Sequence, residues 1–185
     1  MGDSYGRVTV AAVQAAPVVL DRDATLAKLD ALVQAAADRG ARIIVLPEAF
    51  VPAYPLARHS LYESGERIHL APTADASDGW QATLRHIALE GRVFVVGCCQ
   101  YLTRAMYPAD FELKEALARA PEVLCRGGSA IVAPDGRYLA GPLFGEEGIL
   151  TAELDLGEVA AARQLLDVAG HYSRPDVFRL LTPPF

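Results

Sequence analysis

At 185 residues and 52% hydrophobic, the chain is long enough to bury about two-thirds of its unfolded surface in one domain and short for two. The balance of 17 Lys and Arg against 23 Asp and Glu, a net charge of -6, offers no attraction to nucleic acid or to an anionic membrane, so neither partner is expected. Three cysteines, two of them adjacent at Cys98 and Cys99, make neither a disulfide framework nor a spaced metal site, and reduced thiols are expected.

The opening MGDSYGR has no signal-peptide core and no Ser or Thr where a myristoylation motif needs one. The longest apolar run, Val8 to Leu20, is broken by Thr9, Gln14 and Pro17. A soluble, cytoplasmic protein is expected. Val8 to Gln14 (VTVAAVQ) is apolar and β-branched almost throughout, as suits a strand covered on both faces, and Ala15-Ala16-Pro17 ends it. Leu26, Leu29, Val33 and Ala36 then follow the helical period, with Asp23 as the expected N-cap and Gly40 where a left-handed C-cap is needed. Arg42 to Leu46 (RIIVL) is a second buried strand. The first fifty residues thus read as β-α-β with a parallel pair, and functional groups in open α/β sheets collect at the carboxyl ends of strands. Glu48 stands at such an end.

After Pro55 the pattern is helix (Leu56 to Ser64, stopped by Gly65), strand (Ile68 to Leu70), helix (Asp78 to Glu90, stopped by Gly91) and strand (Val93 to Cys99). Trp80, Leu84 and Ile87 share one face of the second helix. A short helix with a solvated face is expected within Asp110 to Arg119. From Gly128 the pattern turns antiparallel: SAIVAP, the turn Pro134-Asp135-Gly136-Arg137, YLAGP, then ILTAELD. Leu156 to Asp167 reads as a last helix, and HYSRPDVF begins a Pro-containing tail. The class is α/β.

Among residues that could carry chemistry, Glu48 is the sharpest, because a carboxylate directly after Pro47 at a buried strand's end is placed for desolvation and so for general-base use. A solvated loop acid, or one paired with Arg, is the plainer alternative. Cys98 and Cys99 must point to opposite faces of their strand. A nucleophilic Cys needs a His, a Lys or a helix N-terminus to stabilise its thiolate, and VVGCCQYLTR supplies none, so core thiols are the simpler reading; Cys125 is read likewise. Gly127-Gly128 lacks the spacing of a phosphate loop and fits a strand entry or bulge. His59, His69, His86 and His171 are scattered singly without a ligand doublet, so neither metal nor cofactor is expected. Arg85, His86 and Glu90 read as a salt-bridge and hydrogen-bond cluster on one helix, or as part of a subunit interface.

GARIIVLPEAFVPAYP resembles the first signature of the nitrilase branch of the carbon–nitrogen hydrolase superfamily, with Ala53 where Gly is usual. LARHSLYESGERIHLAPTADASDGWQATLRHIALEGRVFVV resembles the segment that follows the nucleophile in that family. RGGSAIVAPDGRYLAGP and HYSRPDVF resemble its closing hairpin and C-terminal arm. These stretches cover nearly the whole chain.

The resemblance implies a four-layer αββα sandwich. It also implies a Glu, Lys and Cys triad acting on nitriles or amides: the Cys attacks carbon to form a thioimidate or acyl intermediate, the Glu moves protons, and the Lys stabilises developing charge. Only the Glu carries over, as Glu48, the general base by resemblance. The family's Arg-Lys-Leu-x-Pro-Thr-like and Cys-Trp-Glu-Asn-Tyr-like stretches are absent, and the two lysines present, Lys28 and Lys114, lack the flanking pattern.

The join between Pro55 and Leu56 therefore resembles an in-frame loss of about a hundred residues, comparable to a small domain. The expectation is a single, internally truncated domain: a βαβ part over 1–55, the C-terminal half over 56–170 and an arm over 171–185. It would be a partial αββα sandwich lacking several central strands, inactive as written. Homo-oligomers, or hetero-oligomers with a full-length homologue, are the expected assemblies.

Overall fold

The structure, a computed structural model, describes residues 6–16, 18, 21–46, 55–173 and 175–177. The first three elements follow the sequence pattern closely. Strand β1 (Arg7–Gln14) and strand β2 (Ile43–Val45) pair in parallel, Val10 opposite Ile43, with helix α1 (Arg22–Asp38) as the crossover. The cap differs from expectation. Asp21, not Asp23, is the N-cap, its carboxylate accepting from the Ala24 amide at 2.9 Å, because Asp21 has the extended backbone a cap requires. Asp23 lies instead in the first turn, where a negative charge suits the helix dipole.

Helix α2 (Pro55–Glu63) opens on a proline, whose missing N–H costs nothing at a first helical position. Strand β3 (Ile68–Thr73) runs three residues past the predicted end at Leu70 and pairs in parallel with β4 (Phe94–Cys99). Pro72 is tolerated because β3 is an edge strand. Helix α3 (Asp78–Gly91) lies between them, capped by the Ser77 side chain. It does not stop before Gly91. The left-handed residue is Arg92, at φ 50°, and Gly91 is helical. A Cβ at position 91 would fall on the Tyr62 ring of α2, so this glycine serves close packing of two helices rather than chain reversal.

A short strand β5 (Tyr101–Thr103), a 3₁₀ turn (Arg104–Met106) and the short helix α4 (Lys114–Arg119), with no buried residue, lead to β6 (Val123–Val132). β6 forms the predicted antiparallel hairpin with β7 (Tyr138–Phe144). Strand β8 (Gly148–Asp155) leaves that sheet and pairs antiparallel with β1 along its whole length, from Arg7 opposite Asp155 to Gln14 opposite Gly148. Helix α5 (Gly157–Leu165) follows.

The result is two sheets, β2-β1-β8 and β3-β4-β6-β5 with β7 also on β6. Alternation along the strands sorts their side chains into three apolar layers. Val10, Ala12, Val45 and Leu154 from one sheet meet Phe94, Val96, Cys98, Ile131 and Ala133 from the other. Ala11 and Val13 point the other way, onto Ala36 and Leu32 of α1. Val95, Ala130 and Val132 point onto Leu84, Ile87 and Ala88 of α3. The architecture is therefore α-β-β-α, the partial four-layer sandwich that the resemblance implies.

Candidate active site

The parallel strands β1 and β2 end side by side, and β2 runs out at Val45 and Leu46 toward position 48. Glu48 itself lies outside the described residues, as does the loop of 47–54 that carries it. What the structure does show is a polar wall at the end of β1.

Two polar side chains are fully buried among the described residues, Gln14 and Ser129, and they meet at this end of the sandwich. The Gln14 carboxamide oxygen accepts from the amides of Gly128 and Ser129 at 3.0 and 2.9 Å, and its Nε2 donates to the Glu146 carbonyl at 2.7 Å. Gly127 and Gly128 have φ of +86° and +121°, and the β6–β7 register shifts between Gly127 and Ser129. The glycine pair is thus the bulge the sequence suggested, and any Cβ at Gly127 would collide with the Gln14 amide. Gln81 of α3 donates to the Gly128 carbonyl at 2.7 Å from the other side. The Ser129 hydroxyl accepts from the Cys99 amide at 2.9 Å and donates to its carbonyl at 3.1 Å.

Cys98 and Cys99 do face opposite ways. Cys98 lies between the sheets, its Sγ 3.0 Å from the Val13 carbonyl and 3.4 Å from that of Val45, a thiol bridging the ends of β1 and β2. Cys99 faces Cys125, the sulfurs 3.7 Å apart. Burial pushes both the Cys98 and the Cys99 thiol up to about 12. A hydrolase nucleophile requires the opposite shift, so neither is poised to attack a nitrile or amide carbon at neutral pH.

The lysines differ in placement. Lys28 of α1 reaches the exit of β1, where its Nζ lies 2.6 Å from Glu147 Oε1, the same oxygen that accepts from the Ala16 amide at 2.8 Å. Lys114 begins α4, away from this end. Histidines pair with nearby acids, His69 with Glu66 at 3.1 Å, His59 with Glu63 at 3.5 Å and His86 with Glu90 at 3.7 Å. No group of three His, Cys, Asp or Glu side chains among the described residues could hold a metal ion. The expected Arg85-His86-Glu90 cluster divides, because successive helical residues do not face one another. Arg85 donates to the Gly136 carbonyl at 2.9 Å, whereas Glu90 takes the Tyr62 hydroxyl at 3.0 Å and Arg58 at 3.4 Å from α2.

Sequence reasoning noticed Gln14 only as an interruption of an apolar run, and passed over Ser129 and Glu147. A polar residue closing a strand buried on both faces was the available signal for Gln14. Ser129 and Glu147 are identified only by which strands the fold brings beside β1.

An α-β-β-α sandwich is the architecture of one known class. A family model for carbon–nitrogen hydrolases matches residues 9–63 and, separately, 53–164, and the chain belongs to that family, in its nitrilase branch. It is 54% identical over 128 residues to a nitrilase of Bradyrhizobium diazoefficiens, an alignment covering 69% of this chain and 39% of that protein. It is also 50% identical over 128 residues to an aliphatic nitrilase of Sinorhizobium fredii (69% and 41%), and 49% identical over 133 residues to an arylacetonitrilase of Trametes versicolor (70% and 42%). The aligned part thus spans about two-fifths of each relative. Among solved structures, Saccharomyces cerevisiae Nit3 of the nitrilase superfamily matches at a TM-score of 0.69 and 14% identity, over 92% of this chain and 98% of that one. An amidase of the same superfamily from Nesterenkonia matches at 0.58 and 16%, over 88% and 95%. At such identities these two bear on the fold alone. No helix among the described residues is long and apolar enough to cross a membrane.

Proposed function

We propose that this chain is an internally shortened nitrilase, with the loss at Pro55–Leu56, and that as written it does not hydrolyse nitriles or amides. The observation that carries this reading is the two-part family match, whose halves meet and overlap over 53–63. In the ancestral reaction, taken from the family, a Cys attacks a small nitrile to form a thioimidate that water resolves to a carboxylic acid and ammonia. Glu48 is the retained general base. Nothing among the described residues replaces the other two groups: Cys98 and Cys99 are buried thiols, and Lys28 is held by Glu147. Losing one member of such a unit already removes most of the rate, so losing two leaves a folded scaffold. The chain is one cytoplasmic domain, made of a βαβ part over 1–55, a C-terminal half over 56–170 and an arm over 171–185. Its test is ammonia release from aromatic and aliphatic nitriles and amides by the purified chain. No turnover above buffer is expected; turnover abolished by Glu48→Ala would overturn the reading.

A second reading, as a non-catalytic partner of a full-length homologue or of a second copy, is favoured by the edges. β2 and β3 are both edge strands of their sheets among the described residues, and Leu70 on β3 is exposed. Unpaired edges invite strand addition. Sedimentation of the chain alone and with a full-length nitrilase separates the possibilities; a monomer in both cases rejects partnership. Resequencing across the codons for Pro55 and Leu56 decides whether the loss belongs to the gene at all.

A further inference from the structure

The pair Cys99 and Cys125 has no place in the chemistry above, yet it brings two thiols into side-chain contact. The sulfurs are 3.7 Å apart across strands β4 and β6. Cys125 Sγ also lies 3.0 Å from the Gln100 carbonyl and 3.8 Å from that of Ala74, and Cys99 Sγ lies 3.9 Å from that of Asp75. The two thiols therefore face each other inside a ring of backbone carbonyls. From this geometry we infer that Cys99 and Cys125 form a dithiol site that a two-electron oxidant of the peroxide class converts to an intramolecular disulfide.

Bond formation requires the sulfurs to close to about 2.05 Å, a movement of under 2 Å. The backbone can supply it here with little loss of pairing. β6 changes partners at this point: Ala130 to Val132 pair with β4, whereas Val123 to Arg126 pair with β5. Between those ladders the Cys99 amide and carbonyl both bond the Ser129 hydroxyl rather than the β6 backbone, and the Gly127-Gly128 bulge interrupts β6. Cys125, on the β5-paired part of β6, and Cys99, at the end of β4, thus stand on either side of a seam in the sheet.

The order of events follows accessibility. Cys125 is 8% exposed and Cys99 is 1% exposed, so peroxide meets Cys125 first. The Cys125 sulfur takes one peroxide oxygen, the O–O bond breaks, and a sulfenic acid and one water result. In contact with that electrophile, the still-protonated Cys99 thiol bonds to the Cys125 sulfur as its proton passes to the departing hydroxyl; the S–O bond breaks and a second water leaves. Two thiols have lost two protons and two electrons, and the peroxide has been reduced to two waters. Cys98 takes no part, since it faces the opposite side of β4, between the sheets.

The test oxidises the native chain with hydrogen peroxide, quenches with an alkylating agent in denaturant, and maps the products by mass spectrometry. The expected result is a loss of two hydrogens, a fall from three free cysteines to one, and a peptide pair joined through Cys99 and Cys125. The same treatment of the unfolded chain should scramble the pairing, and Cys98→Ser should leave the native product unchanged. A Cys98-containing bridge, an intermolecular bridge, or all three thiols intact after oxidation of the folded chain would each overturn the inference. The mapping uses the unsubstituted chain, so it stands whether or not Cys99→Ser and Cys125→Ser variants fold.

Discussion

Gly91 of α3 lies directly against the ring of Tyr62 of α2, close enough that a methyl group at position 91 would enter the ring. Tyr62 cannot swing away easily: it is 3% exposed, and its hydroxyl donates to Glu90 at 3.0 Å. Burial, then the neighbouring Glu90 charge, holds its phenol protonated well above the ordinary range. The contact seats α2 onto α3, the helix that covers the second sheet.

Gly91→Ala should therefore destabilise the fold. Helix propensity favours Ala by about 1 kcal/mol, while overpacking costs about 1–3 kcal/mol, and with the ring held at both ends the cost wins. Denaturant unfolding should show a lower midpoint. In a Tyr62→Leu background the same substitution should lose its penalty, since the obstructing ring is gone; an equal penalty there would refute the explanation.

Gln14 ties the end of β1 to the β6 bulge and to the turn before β8. Gln14→Leu keeps the volume but strands the two buried amides of Gly128 and Ser129, at about 1–3 kcal/mol for each. The Gly128 and Ser129 amides should exchange with solvent faster by amide hydrogen exchange. Unchanged exchange would mean that Gln14 is not the clasp.

Alkaline pH should weaken the protein. The unfolded Cys98 thiol releases its proton near its ordinary 9.0, while the folded one holds it to about 12. The folded state binds more protons in that window, so stability is intact below pH 9 and falls as pH rises above it, by about 1.4 kcal/mol per pH unit from this group. Unfolding midpoints taken on both sides of pH 9 measure the slope. Cys98→Ala should reduce the slope, leaving the part that the likewise raised Cys99 thiol contributes, while costing some packing at all pH values; an unchanged slope would exclude Cys98 as a source.

Lys28 is predicted to be a clamp on α1 rather than a substitute catalytic lysine. Its ion pair with Glu147 is about one-third exposed on each side, so Lys28→Met should cost no more than about 1 kcal/mol. Glu147→Ala should cost more, because it also strips the Ala16 amide of its acceptor. Thermal melts of the two variants give the ranking, and the reverse order would contradict this placement.

The local pattern carried a large part of the fold. Continuous apolar runs located β1, β2 and β4, and the 3.6 period located α1 and α3, because each of these elements buries surface that its own residues define. Errors arose where one residue type serves several purposes. Two aspartates competed to cap α1, and only backbone conformation chose Asp21. Gly91 resembled a helix stop because glycine's conformational freedom and its lack of a side chain read alike in sequence.

Membership of the carbon–nitrogen hydrolase family and the α/β class were legible in the sequence by itself, since both rest on runs of adjacent residues such as RIIVLPE and RGGSAIVAPDG. So was the lack of any further lysine beyond Lys28 and Lys114, while the reading of Glu48 as a strand-end acid falls outside the described residues. Only the tertiary structure decided that β8 crosses to pair with β1, that Gln14 and Ser129 form one buried polar wall, and that Cys99 faces Cys125 while Cys98 faces the other sheet. Those relationships join residues 26 to 148 positions apart, and no local period encodes which distant strand will lie alongside.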